Sequence, residues 1–158
     1  MPELISISEA QRRVIERVKP LEAERVPIER AAGRVLADPA VAVVDLPPFP
    51  SSAMDGYALR SADTAAAPVT LPVVARIPAG APAGRPLSAG EAMAIATGGA
   101  VPEGADAVVP LEHVEEAAEG LSVREPVVAG ANVRDRGGDV RAGDEVLGPG
   151  VVLVAHCS

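Results

Sequence analysis

PPFPSSAMDGYALR, Pro47 to Arg60, holds the only phenylalanine and the only tyrosine of the 158-residue chain, Phe49 and Tyr57. Its reading divides the sequence: helical patterns precede it and short strand-like runs follow it. Pro47 and Pro48 fix φ and disfavour helix before them, so the stretch opens as a stiff, extended loop. Gly56 removes the Cβ beside Asp55, which lets another backbone or a ligand come close. Ala58 and Leu59 then begin a strand. An acid on a rigid loop among small residues presents a carboxylate outward. The alternative is that Asp55-Gly56 is only a turn, with Phe49 and Tyr57 as core anchors.

Upstream, Ser6-Ile7-Ser8-Glu9 reads as a capping box with Ser6 or Ser8 as N-cap. Ala10, Val14 and Val18 recur at spacing four on one helix face, and Pro20 is expected to end that helix. Ile28 to Leu36 carries a weaker helical pattern interrupted by Gly33. Asp38-Pro39 is a turn, and Ala40 to Val44 a β-like run.

Downstream, Val69 to Ile77 is expected to be a strand despite Pro72, and Ala92 to Ala96 a strand running into Thr97-Gly98-Gly99. A threonine hydroxyl beside two glycine amides can form a nest for a phosphate or oxoanion. The alternative is a strand-ending glycine turn. No P-loop is present, because no Gly-Lys-Ser/Thr and no helix pattern follow. Ala107 to Leu111 and Leu121 to Val128 read as strands. Glu115, Glu116 and Glu119 read as a solvated hairpin tip. In GANVRDRGGDVRAGDEVLGPG, Gly130 to Gly150, Arg134 and Arg136 stand beside Asp135, Asp139 and Asp144. Mixed charges on a glycine-rich loop suit a polar ligand or a self-satisfied salt-bridge cluster. Val146-Leu147, the turn at Gly148–Gly150 and Val151 to Val154 read as a hairpin.

With 48% apolar residues the chain can build a core, and with 1% aromatics that core must consist of Val, Leu, Ile and Ala. A net charge of −8 argues against a nucleic-acid backbone as partner. No apolar run is long enough to span a bilayer, and Met1-Pro2-Glu3 opens without a signal-peptide pattern, so no membrane partner is expected. The single cysteine, Cys157, forms no internal disulfide and fits a reducing, cytoplasmic setting. His156, Cys157 and Ser158 are too few for a zinc site and read as a tail.

These features predict an α+β, β-rich chain. A small barrel- or sandwich-like β domain, residues 45–139, is inserted into an elongated helical domain built from the two chain ends, residues 1–44 and 140–158.

Three polar turns stand in one order: SAMDGYA, TGGAVPEGADAVV and NVRDRGGDVRAGDEVL. Together they resemble the N-terminal half of the molybdopterin molybdenumtransferases, the MoeA family, which includes the E domain of gephyrin. The family pattern runs PPFxxSxMDGYA, TGAxxPxGADAVV and NVRxxGxDxxxGxxLLxxG, and ERAAGRVLA, Glu29 to Ala37, fits it too. The chain departs from it at Pro50-Ser51, where Asp-Asn is common, and at Gly99-Ala100, where many members read Ala-Pro.

The resemblance implies an enzyme that inserts molybdate into adenylated molybdopterin and releases AMP, with Mg²⁺ usually required. It implies an elongated homodimer whose site lies between the β-rich second domain of one subunit and the pterin-binding third domain of the other. Motif matching carries Asp55, Thr97 and Asp139 over as catalytic positions. Ser52, Gly98, Gly99 and Arg134 follow as positions that bind the pterin or its phosphate, and no metal ligand is assigned. The family's pterin-binding and C-terminal β domains have no counterpart, so the chain is expected to be a fragment. Alone it is expected to be inactive, or else to serve as a non-catalytic dimerisation or interaction module. A hydrolase pairing Asp55 with Asp139 needs the two carboxylates to converge within about 5–10 Å.

Overall fold

A computed structural model of the chain describes residues 5–19 and 21–154, so Pro20 and the terminal residues, including His156, Cys157 and Ser158, lie outside the description. The chain forms two compact units, Met1–Pro39 with Leu147–Ser158, and Ala40–Val146.

In the first unit, α1 runs Ile7–Ile15 with Ser6 as N-cap. The Ser6 hydroxyl accepts the Glu9 N–H at 3.2 Å, satisfying one of the amides a helix start leaves open. Glu9 pairs with Arg12 and Arg13, and Arg12 also with Glu16, all on the exposed surface. The helix stops at Ile15, more than a turn before Pro20, and buries none of its residues. The helix expected over Ile28 to Leu36 is reduced to a 3-10 turn, Ile28–Arg30. Beyond it the backbone is extended. Gly33 N–H donates to the Leu153 carbonyl at 2.7 Å, Leu36 N–H to that of Val151 at 2.8 Å, and Val35 bridges Val152. Val151 to Val154 is therefore no hairpin partner of Val146-Leu147. β-branched Val35 and Val152 favour this antiparallel pairing over a helix.

The second unit carries the strands. They are β1 Ala40–Val41, β2 Ser51–Ser52, β3 Gly56–Leu59, β4 Val69–Leu71, β5 Val73–Ile77, β6 Ala92–Ile95, β7 Ala107–Pro110, β8 Val114–Ala117, β9 Gly120–Val123, β10 Val133–Arg134 and β11 Glu145–Leu147. A four-stranded sheet has the order β5-β6-β3-β7, a three-stranded sheet the order β4-β9-β8, and β10 pairs with β2. All these pairings are antiparallel except β5 with β6. The single strand expected over Val69 to Ile77 is two strands in two sheets. Pro72 has no N–H for a ladder, so the run breaks there, and its carbonyl accepts the Ala92 N–H at 2.9 Å.

β3 is buried on both faces. Tyr57 and Leu59 join Leu71, Ala92, Ala94, Val109, Leu121 and Val123 in the cluster between the two sheets. Ala58 joins Ile77, Leu87, Met93, Ile95 and Val108 on the other face. Leu59 and Leu121 are fully buried, each contributing about 1.5–3 kcal/mol relative to exposure. Tyr57 is a core anchor, whereas Phe49 remains 38% exposed. The loop entering this central strand carries Asp55.

Candidate functional site

The three polar turns meet at Ser52 to Asp55. Ser52 is buried; its hydroxyl donates to the Met54 carbonyl at 2.5 Å and accepts the Met54 N–H at 3.3 Å, locking the bend before Asp55. Its backbone is tied to the second turn: Gly98 N–H donates to the Ser52 carbonyl at 2.8 Å, and Ser52 N–H to the Gly99 carbonyl at 2.9 Å. The third turn follows, with Ala53 N–H donating to the Asn132 carbonyl at 2.9 Å. Val133 and Arg134 sit opposite Ser52 and Ser51 in the β10–β2 pairing.

Gly56 explains its own place in MDGYA. A Cβ there would lie 2.1 Å from the Val109 carbonyl oxygen. The close approach left open by the sequence is thus that of another backbone, β7, and it brings Asp55 to the edge of the sheet.

Asp55 is exposed. Its Oδ1 accepts two hydrogen bonds, from the Thr97 N–H at 2.7 Å and the Thr97 hydroxyl at 2.8 Å. Those two bonds hold its carboxyl below the usual carboxylate range, the backbone one first and the hydroxyl second. Oδ2 has no hydrogen-bond partner among the described residues. The result is an ionised carboxylate with one oxygen pinned and the other open. It lines a groove of about 520 Å³ with Gly56, Arg76, Ile77, Pro78, Ala94–Ala96 and Leu111.

The oxyanion nest expected at Thr97-Gly98-Gly99 does not have free donors. Thr97 spends both on Asp55. Gly98 N–H serves Ser52, and Gly99 N–H donates to the Ala96 carbonyl at 2.8 Å. The turn positions Asp55 through its threonine and holds the Ser52 bend through its glycines.

Asp139 and Arg134 stand apart from this groove and line no part of it. The Asp139 N–H donates to the Leu46 carbonyl at 2.9 Å, and neither side chain has a polar partner among the described residues. Within the same loop, Arg136 Nε donates to Asp45 Oδ2 at 2.7 Å and Ala142 N–H to Asp45 Oδ1 at 2.9 Å. The Arg141 N–H donates to Asp144 at 2.9 Å. Much of the mixed charge is therefore self-satisfied. Among the described residues no group of three or more His, Cys, Asp or Glu side chains is placed to hold a metal.

Sequence reasoning passed over three polar residues. Asn132 adopts φ 53°, and its side-chain amide donates to the Val108 carbonyl at 2.9 Å, covering the outer edge of β7. Asp106 accepts the Ser61 N–H at 2.6 Å and the Ser61 hydroxyl at 2.7 Å, which holds its carboxyl below the usual range. Glu116, expected to be a solvated hairpin acid, accepts the Tyr57 hydroxyl and pairs with Arg76 at 2.7 Å. The only signals were Asn before Val-Arg, a residue type that tolerates positive φ, and a buried tyrosine needing a partner.

Residues 5–157 match the family described as MoeA N-terminal region (domain I and II). The chain belongs to that family. It is 40% identical over 152 residues to molybdopterin molybdenumtransferase 2 of Mycobacterium tuberculosis, a match covering 94% of this chain and 38% of the relative. It is 44% identical over 138 residues to the molybdopterin molybdenumtransferase of Synechococcus elongatus, covering 83% and 34%. The crystal structure of a molybdopterin biosynthesis moeA protein from Pyrococcus horikoshii OT3 superposes with a TM-score of 0.88 at 36% identity, over 96% of this chain and 41% of that one. The chain thus spans well under half the length of these relatives.

Proposed function

We propose that this chain is the N-terminal part of a molybdenum cofactor biosynthesis enzyme that inserts molybdate into adenylated molybdopterin and releases AMP. The observation that carries a role for this site is the Asp55 carboxylate, ionised, fixed by Thr97 through one oxygen and open through the other. Family membership supports a role in molybdenum cofactor biosynthesis, and the reaction is the one the family resemblance implies.

An ionised carboxylate repels molybdate, so Asp55 is not its ligand. It accepts: from an N–H of the pterin, or from water as an oxo group of molybdate departs. Its depressed proton affinity suits an acceptor better than a proton donor. Thr97 keeps Oδ1 occupied, so Oδ2 is the oxygen left for a ligand. Mg²⁺ is commonly held by one or two carboxylates together with substrate phosphates, and Asp55 Oδ2 fits as one such ligand. Bound there, the ion would neutralise phosphate charge. Asp139 and Arg134 remain proposed contacts for parts of the substrate that reach beyond the groove. Ser52, Gly98 and Gly99 are proposed to act by shaping the loop under the ligand.

In this reading residues 1–44 with 140–158 are the first domain and residues 45–139 the β-rich second domain, bounds that lie within a few residues of those of the two compact units. The enzyme is a cytoplasmic homodimer, and its site is completed by the family's pterin-binding domain. One observation favours a second reading, a non-catalytic interaction module. Ile7, Val14, Ile15 and Val18, in and just beyond α1, are 61–80% exposed, an apolar face that no other described residue covers.

The test is molybdate-dependent AMP release from adenylated molybdopterin. The chain is assayed alone and mixed with a polypeptide carrying the remaining domains. Activity only in the mixture is the expected result. Activity of the chain alone would overturn the composite site. Silence of both, with each part folded, would favour the interaction module.

A further inference from the structure

Among the described residues, Arg76 is the one cationic side chain lining the groove into which Asp55 opens. The strand register explains how it gets there. Arg76 on β5 is opposite Ala94 on β6, Ala94 is opposite Tyr57 on β3, and Tyr57 is opposite Val109 on β7. These residues form one row across the sheet, on the face that carries the Tyr57 cluster. Asp55, in the bend before β3, lines the same groove.

Glu116 sets the arginine in place. It comes from β8 in the facing sheet, accepts the Tyr57 hydroxyl, and takes two further hydrogen bonds from a single nitrogen of Arg76. Nη2 donates to Oε1 at 2.7 Å and to Oε2 at 2.9 Å. The guanidinium has five N–H donors in a rigid fork. Nε and Nη1 make no hydrogen bond among the described residues, and the side chain is 69% exposed. An ordinary bidentate Arg–carboxylate pair occupies two nitrogens. This one uses one; the Tyr57 hydroxyl also lies against the guanidinium, and the side chain is otherwise largely exposed, its direction held by Tyr57 and Glu116.

We infer that Arg76 is the anion-anchoring residue of the Asp55 groove, binding a tetrahedral oxyanion, a phosphate or a molybdate, through Nε and Nη1. Tyr57 and Glu116 are its positioning residues. The inference rests on the proposed function for the identity of the ligand, and on the groove alone for its charge. Asp55 and the Arg76-bound Glu116 both repel an anion, and among the described lining residues Arg76 alone attracts one, through the donors that Glu116 leaves open. A substrate with both N–H donors and an anionic group is thereby recognised by opposite ends of the Asp55–Arg76 pair.

The experiment uses the 158-residue chain, with AMP and molybdate as separate probes, followed by the Arg76 Nε–H and backbone amide resonances. Titration to about 10 mM covers a single weak anion contact. Saturable shifts at Arg76, Asp55 and Gly56 are expected, and the probe that produces them identifies the oxyanion. Arg76→Gln should weaken binding at least tenfold. Arg76→Lys should restore part of it, having charge without the fork. Tyr57→Phe should weaken it a few-fold with an unchanged far-ultraviolet circular dichroism spectrum. No shift with either probe, or equal affinity in Arg76→Gln, overturns the inference. In the reconstituted enzyme, Arg76→Gln should raise KM for the adenylated substrate, whereas Asp55→Asn should lower kcat. Loss of activity in Asp55→Asn alone, with KM unmoved in Arg76→Gln, would refute the anchor and leave the proposed function standing. An active Asp55→Asn would refute the proposed function, and the titration would still decide on Arg76.

Discussion

Replacing Gly56 by alanine tests how the site is built. The added Cβ would sit 2.1 Å from the Val109 carbonyl oxygen, 2.9 Å from its carbon and 3.1 Å from Pro110 Cα. A carbon–oxygen contact needs about 3.3 Å, so the two strands must separate by roughly 1 Å. The obstacle is backbone, and no rotamer change relieves it. The separation falls on the Gly56–Pro110 and Tyr57–Val109 pairs, beside fully buried Ala58 and Leu59. Overpacking costs about 1–3 kcal/mol, and weakening one ladder hydrogen bond about 1 kcal/mol more. The sum of about 2–4 kcal/mol lowers the melting midpoint of a domain of this size by about 10–20 °C. Gly98→Ala is the control: its φ is +76° but no atom lies within 4 Å of the new Cβ. It should cost only the left-handed backbone penalty, about 1–2 kcal/mol. Chemical denaturation of both variants measures the difference. Gly56→Ala as stable as Gly98→Ala would refute the claim that backbone packing, and not room for a ligand, requires this glycine.

Thr97→Val removes the hydroxyl and keeps the N–H, so the Asp55 pKa should rise toward its ordinary value while remaining below it; carboxyl-carbon NMR titration reads this directly. Thr64 is fully buried, donates to the Ser61 carbonyl and accepts the Val127 N–H, each at 2.8 Å. Thr64→Val leaves both backbone groups without that partner and should cost about 2–4 kcal/mol in urea unfolding, with no change in the Asp55 titration. Asp106 has its folded-state pKa depressed by the Ser61 contacts. Its contribution is therefore complete above the unfolded value of about 3.9 and is lost as pH falls through the folded value. Asp106→Asn should flatten stability against pH in that acidic window, and an unaltered profile would remove Ser61 as the cause.

The β-rich character of the chain and most of its strands were legible because Val-, Ile- and Ala-rich runs alternate with Gly and Pro. What failed was pairing. Pro72 sits inside one continuous apolar run, and only the folded chain reveals that its two sides serve different sheets. The run at Ile28 to Leu36 has helical spacing, but its extended second half pairs with residues more than a hundred positions away. Local pattern carries no information about such a partner. At the site, Asp55 and Thr97 were both legible as polar residues on turns, but not their contact. The hydroxyl and amides of Thr97-Gly98-Gly99 looked available for an anion because their acceptors, Asp55, Ser52 and Ala96, are unrecognisable as acceptors until the loops meet.

The acids of this unit separate by how they spend their oxygens. Asp45 spends both, one on Arg136 and one on Ala142. Asp106 spends both on Ser61. Each closes a loop and has no lone oxygen left to offer. Asp55 spends only Oδ1, twice, and on the single residue Thr97. Two donors on one oxygen fix the carboxylate's direction as firmly as one donor on each would, while leaving Oδ2 for a ligand. Arg76 repeats the arrangement with the opposite charge: Glu116 binds one nitrogen twice and leaves the fork open. In both, an internal partner orients the group without consuming it; Glu91, whose Oε2 accepts from Arg85 and from the Ser88 N–H, has the same arrangement outside the groove, so it is the shared groove that singles out Asp55 and Arg76. That the two share one groove is the physical reason for looking there first for a zwitterionic or N–H-bearing anionic ligand.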